Sequence, residues 1–165
     1  MSRIIILMGV SGAGKTTVGE LLAGELGWPF YDADDYHPPR NIDKMRNGQA
    51  LSDEDRVEWL EVLQQLIKDI DGRSQSAVIA CSALKDSYRK QLAVGPGVEF
   101  VYLEADPEVT RQRLHSRKDH YMAPDLLQSQ FDTLEVPSGA LTLQNTLSPE
   151  TIVAQIIQSL ELPRA

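Results

Sequence analysis

The chain holds one cysteine, Cys81, among its 165 residues, so no disulfide can form within it. Cations are scarce as well: 16 Lys and Arg stand against 24 Asp and Glu, a formal net charge of −8. That average field repels nucleic acid and anionic membranes, so any anionic ligand must be met by a local basic cluster. No apolar run approaches the roughly 20 residues needed to cross a bilayer. The N-terminus runs through Arg3 straight into "IIILM" and does not resemble a secretory signal. These absences lead us to expect a cytoplasmic protein. Internal repeats, low-complexity tracts and linker-like stretches are also missing. With 42% hydrophobic residues, the length suits one domain over residues 1–165 with a full core.

What is present has a regular order. Nearly continuous apolar runs at "RIIILMG", "AVIAC" and "VEFVYLEA" predict buried parallel strands, and "WPFYDAD" and "ALTLQNT" two shorter ones. Helical stretches alternate with them: "KTTVGELLAGEL", "SDEDRVEWLEVLQQLIKDID", "ALKDSYRKQLAV", "DPEVTRQRLHSR", "PDLLQSQFDTLE" and "SPETIVAQIIQSLE". Alternation of this kind predicts an α/β fold, a mainly parallel five-stranded sheet flanked by helices. Ser52 ahead of Asp55, Asp106 before Pro107 and Ser148 before Pro149 mark three helix starts. In the longest helix Val57, Leu60, Leu63, Leu66, Ile67 and Ile70 recur at helical spacing and predict its buried side, with Trp59 as a packing residue. Cys81 reads as a small buried hydrophobe. Ligands of open α/β sheets bind beyond the carboxyl ends of the strands, which singles out the segments following each run.

The first of these, "GVSGAGKT", fits G-x-x-x-x-G-K-[ST] between a strand and a helix. Gly9, Gly12 and Gly14 let the backbone curl so that successive N–H groups surround an anion, and the helix N-terminus adds its positive dipole end. Lys15 would reach the β- and γ-phosphates of a nucleoside triphosphate, and Thr16 would offer its hydroxyl to Mg2+. The expected nucleotide site comprises Gly9, Val10, Ser11, Gly12, Ala13, Gly14, Lys15, Thr16 and Thr17.

The second, "DADDYHPPRNIDKMRNG", crowds carboxylates, a histidine and basic residues into one short segment. Asp34 is assigned to the acceptor hydroxyl as base or orienting group, and Asp32 to the magnesium shell; the two are exchangeable on sequence grounds. His37 and Asn41 are candidate hydroxyl partners, and Arg40, Lys44 and Arg46 candidate cations for an anionic acceptor. The third predicted strand ends in Cys81 and Ser82, without the acidic metal partner many phosphate-loop proteins carry there, which suits small-molecule kinases better than motor or switch ATPases. In "CSALKDSYR", Lys85, Tyr88 and Arg89 share a helical face that turns either to substrate or to solvent. A basic stretch, "RQRLHSRKDHYMAP", supplies Arg117 as a catalytic cation carried by a mobile lid over about 117–125, and Arg113 as a nucleotide contact.

Together "GVSGAGKTT", "DADDYHPPRNIDKMRNGQALSDEDRVEWL", "ACSALKDSYR", "RKDHYM" and "SQFDTLEVP" resemble the gluconate kinases, P-loop small-molecule kinases related to shikimate kinase. The resemblance spans nearly the whole chain. It implies a single P-loop kinase domain that transfers the ATP γ-phosphate to the 6-hydroxyl of D-gluconate, with Mg2+ and as a homodimer. It also implies that Gly9 to Thr16 form the ATP site, that Asp32 to Arg46 form the gluconate side, and that Arg117 to Met122 form the lid. On this reading Lys15, Asp34 and Arg117 are catalytic. Asp34, His37, Asn41, Lys44, Arg46, Lys85 and Arg89 bind substrate, and Thr16 and Asp32 hold the metal. Gluconate is a linear polyol with one carboxylate, which matches hydroxyl partners, cations and a carboxylate in one segment. Two other readings remain: a shikimate-type or nucleoside monophosphate kinase, and a nucleotide-dependent switch or binding module, for which no Asn-Lys-x-Asp element is present.

Overall fold

The computed structural model describes residues 2–115 and 124–165. Its centre is β1 (Ile4–Met8), five apolar residues all buried. It is buried because parallel neighbours cover both of its edges: β3 (Ala77–Ala80) on one side and β4 (Val98–Glu104) on the other. β2 (Phe30–Asp32) pairs with β3 and β5 (Leu141–Gln144) with β4, completing a parallel sheet ordered β2-β3-β1-β4-β5.

Side chains alternate across a strand, so the sheet divides its apolar residues between two layers. Ile5, Leu7, Val78, Val101 and Leu103 pack with α1 (Lys15–Leu26) and α7 (Pro149–Leu160). Ile4, Ile6, Met8, Ile79 and Tyr102 pack with α3 (Asp53–Gly72) and α4 (Asp86–Leu92). Each fully buried side chain of this size contributes about 1.5–3 kcal/mol over exposure, so the two layers hold the strand ends in register. Gly19 lets α1 lie against the sheet edge: a Cβ there would stand 2.3 Å from the Phe30 ring.

All three predicted helix starts form. Ser52 and Asp55 make a reciprocal capping box, Asp106 accepts from Val109 N–H ahead of α5 (Pro107–His115), and Ser148 accepts from Thr151 N–H.

Three details differ from the sequence pattern. The buried stripe of α3 carries Trp59, Leu60, Leu63, Ile67 and Ile70, while Val57 is 52% exposed. Arg56 stands three residues before Trp59 and four before Leu60, so it continues both rows of that stripe, whereas Val57 stands three before Leu60 alone. Second, the segment after β2 folds into a 3-10 turn (Ala33–Tyr36) and then α2 (Pro39–Arg46), whose start Pro39 favours. With only Asn41 and Met45 buried, α2 has no apolar periodicity to announce it. Third, α4 begins only at Asp86, because Ala83 adopts φ 44° and Lys85 is extended. The helix α6 (Pro124–Thr133) precedes β5, and among the described residues no helix is long and apolar enough to cross a membrane.

Candidate active site

All five strands run the same way, so their carboxyl ends and the loops that follow form one rim. The loop after β1 is fixed by backbone geometry. Gly9, Gly12 and Gly14 have φ of 148°, 79° and 103°, and a Cβ on Gly9 would sit 2.8 Å from the Leu103 carbonyl oxygen. Gly14 caps α1, whose first turn therefore opens directly onto the loop. Lys15 Nζ donates to the carbonyls of Gly9 (3.0 Å) and Val10 (2.9 Å), laying its charge along the loop. Ser11 N–H donates to Gln130 Oε1 of α6 at 2.6 Å.

Three compartments adjoin this loop. On one side Gly12, Gly14, Thr17, Arg113, Asn145 and Leu147 line a groove. Arg113 lies there beside Gly14 and donates to the Asn145 carbonyl (2.8 Å), so the predicted nucleotide contact and the loop are brought together. In the middle, a polar recess is lined by Ser11, Lys15, Thr16, Asp32 and Asp34. Beyond it lies a pocket walled by Asp34, His37, Arg56, Trp59, Leu126 and Gln130, with Ser11 and Lys15 at its floor. Ser11, Lys15 and Asp34 line both the recess and the pocket. Asp32 lines the recess alone.

Asp32 is the side chain that joins the segment after β2 to the phosphate loop. Its Oδ2 accepts from Thr16 Oγ1 (3.3 Å) and its Oδ1 from Asp34 N–H (3.0 Å). Burial, followed by the Asp34 charge, raises its carboxyl pKa. A cation would relieve the penalty of that buried charge. A hydroxyl and a carboxylate converging beside a phosphate loop fit Mg2+, which keeps several waters and needs few protein ligands. No group of three or more His, Cys, Asp or Glu that could hold a metal occurs among the described residues.

The pocket wall is built by packing. His37 stacks on Trp59 with ring centroids 4.3 Å apart and an interplanar angle of 12°, and Trp59 Nε1 donates to the Ala33 carbonyl (2.8 Å). Burial, then the Arg56 charge, lowers the His37 imidazole from its ordinary 6.5 to about 4, so it is neutral at physiological pH. Asn41, fully buried, donates to the Asp55 carbonyl (2.8 Å) and to His37 Nδ1 (3.2 Å), so it stands behind the pocket wall and not in it.

The predicted cations are distributed differently from expectation. Lys44 pairs with Asp55 (2.7 Å), holding that carboxyl down to about 2 together with the Ser52 N–H. Arg46 is exposed and outside the pocket lining, as is Arg40, which pairs with Glu58. Lys85 pairs with Asp53 (2.9 Å). Arg89 is buried and spends its guanidinium on the carbonyls of Ala83 (2.7 Å) and Glu135 (2.8 Å), tying the loop after β3 to the chain after α6. The structure therefore brings none of Lys44, Arg46, Lys85 or Arg89 to the pocket wall. Arg56 stands there instead. Its Nη1 donates to Tyr88 Oη (3.1 Å), its guanidinium lies 5.5 Å from that ring's centroid, and Tyr88 in turn donates to Asp53. Arg56, Ser129 and Gln130 were not singled out from sequence. For Arg56 a signal existed, a cation continuing the apolar stripe of a helix. Arg117 and the proposed lid around it fall at 116–123, outside the described residues, apart from Pro124 and Asp125, which begin α6.

Known proteins are similar to this chain in sequence and in fold. The family model described as Shikimate kinase matches residues 11–161. A probable gluconokinase of Xenopus tropicalis is 46% identical over 152 residues, covering 82% of this chain and 80% of that protein. The crystal structure of a sugar kinase from Janibacter sp. HTCC2649 superposes with a TM-score of 0.92 at 38% identity, over 98% of this chain and 96% of the other. A gluconokinase from Sinorhizobium meliloti 1021 gives 0.81 at 37% identity, over 96% and 95%. The chain belongs to the shikimate kinase family and, within it, to the gluconokinases.

Proposed function

We infer that this chain is an ATP-dependent gluconokinase, transferring the γ-phosphoryl group of ATP to a hydroxyl of D-gluconate. One observation carries the chemistry: Ser11, Lys15 and Asp34 line both the recess at the phosphate loop and the pocket beyond it. Donor phosphate and acceptor hydroxyl can meet there.

The roles follow from the geometry and the type of reaction. Phosphoryl transfer needs alignment and charge stabilisation more than covalent help. The loop N–H groups and Lys15 hold the transferring phosphate, and Asp34 at the junction accepts the proton of the attacking hydroxyl. Thr16 and Asp32 would hold Mg2+, which when bound neutralises charge on the phosphate oxygens. Placing Asp34 at the acceptor and Asp32 at the metal is supported by Asp32 lining the recess alone. Arg56 supplies a cation for the gluconate carboxylate, His37 and Gln130 meet its hydroxyls, and the Arg113 groove takes the nucleoside. Transfer to the 6-hydroxyl, the closing role of Arg117, a homodimer and a cytoplasmic setting belong to this proposal on the family resemblance and composition. The pocket's one carboxylate, its hydroxyl partners and its single guanidinium favour a polyhydroxy acid over a nucleobase. The test is ADP release with Mg·ATP in the presence of D-gluconate, shikimate or nucleoside monophosphates, and strong stimulation by gluconate alone is expected. Stimulation by another acceptor, or none, contradicts the reading.

A further inference from the structure

His37 and Asp34 face each other across the mouth of the pocket, with Nε2 and Oδ1 4.0 Å apart. That is too far for a direct hydrogen bond. It is the right span for a bridging oxygen: an atom about 2.8 Å from each would sit at the apex of an angle near 90°, well within hydrogen-bonding geometry. What such an oxygen must be depends on which nitrogen of His37 carries the proton.

The surroundings determine this. The Asn41 amide has its NH2 toward the Asp55 carbonyl, which can only accept, so the amide cannot be reversed. The same NH2 lies 3.2 Å from His37 Nδ1, which must therefore be the unprotonated nitrogen. In a neutral imidazole the proton is then on Nε2. The stack on Trp59 holds the ring plane, and the charged groups lining the same pocket are Asp34, Lys15 and Arg56.

We propose that Asn41 is a positioning residue for the reaction: through His37 Nδ1 it fixes the Nε2–H tautomer, making His37 and Asp34 a donor and acceptor pair that selects and orients a substrate hydroxyl. This rests on the gluconokinase reading and refines it, because it removes Asn41 from the substrate contacts and gives it a different task. A hydroxyl accepts from His37 Nε2–H and donates to the Asp34 carboxylate at once. A carbonyl or carboxylate oxygen, which has no proton to give, cannot satisfy both. With the opposite tautomer two acceptors would face the hydroxyl, and its proton could serve only one of them.

The tautomer is read directly by long-range 1H–15N correlation on protein labelled at its histidines, with His37→Gln identifying the His37 signals. A proton on Nε2 and none on Nδ1 at neutral pH is expected. A proton on Nδ1 overturns the proposal, and it is read on the wild-type protein, with the variant serving only to assign the signals. Asn41→Asp places an acceptor opposite Nδ1 and should move the proton onto that nitrogen, lowering kcat on gluconate by about tenfold or more with the KM for ATP little changed. Retention of the Nε2–H tautomer together with normal kcat in that variant contradicts the proposal. His37→Gln, whose amide can place an N–H at the Nε2 position, should retain about tenfold more activity than His37→Asn, and equal loss in both overturns the donor role. A wild-type protein inert toward gluconate would overturn the functional reading, while the tautomer would still be decided by the spectra.

Discussion

The phosphate loop and the acceptor pocket lie side by side on one rim but are made differently. The loop is backbone: three glycines with positive φ, a helix N-terminus and a lysine laid along its own carbonyls. Its geometry is settled within eight consecutive residues. The pocket is side chains from separated elements: Asp34 from the turn after β2, Arg56 and Trp59 from α3, Leu126 and Gln130 from α6. Its geometry is settled by tertiary packing, so a change behind the wall should matter as much as one in it. Backbone donors suit what all nucleoside triphosphates share, whereas assembled side chains can distinguish one acceptor from another.

Substitutions on the pocket side should therefore separate acceptor chemistry from nucleotide binding. Asp34→Asn removes the proton acceptor and should lower kcat by about 10²–10⁴-fold while ATP still binds. Steady-state rates with nucleotide titration would measure both, and near-normal turnover would remove Asp34 from catalysis.

The buried wall should also make stability depend on pH. His37 titrates at about 4 when folded and near 6.5 when unfolded, so between these values the unfolded chain carries the extra proton. Stability should rise with pH across that window, by up to about 3 kcal/mol. Asp55, held at about 2, adds a loss in the same direction as pH falls below 3.8, and the raised Asp32 carboxyl acts in the opposite sense. Denaturant midpoints from pH 4 to 7 test this, and His37→Gln should flatten the upper part of the curve. An unchanged slope would mean that the imidazole is not buried neutral.

Arg56→Ala should raise the KM for gluconate about 10- to 100-fold, the worth of one charged hydrogen-bonding group, with the KM for ATP nearly constant. Parallel changes in both constants would dissolve the distinction between the two regions. At the small end, Ser11→Ala in the loop should alter kcat/KM for ATP by no more than about twofold, because its observed partner, Gln130, is met by the backbone N–H. A large loss would show that the loop also reads through side chains.

The same contrast explains how much was legible in the sequence. The strands and the long helices announce themselves by apolar runs and caps, and the phosphate loop by its glycine spacing. The helix α2 did not, since only Asn41 and Met45 of its eight residues are buried. Asp34 and His37, which line the pocket, stand out in the sequence because they crowd next to a strand end. Arg56 does not, because the helical spacing leads from Leu60 back to Val57 as well as to Arg56, and only the folded helix puts Val57 on the exposed side. Lys44, Lys85 and Arg89 have the chemistry of anion ligands, but the fold occupies them with Asp55, Asp53 and two backbone carbonyls. Charge is visible in a sequence, whereas the partner that occupies it is a tertiary fact.

The most direct test of the account is the acceptor dependence of ADP release from Mg·ATP. Large stimulation by D-gluconate, with little by shikimate or nucleoside monophosphates, is the predicted result. ADP release that ignores gluconate, or that responds to one of the other acceptors instead, would contradict the assignment of the pocket while leaving the phosphate loop as described.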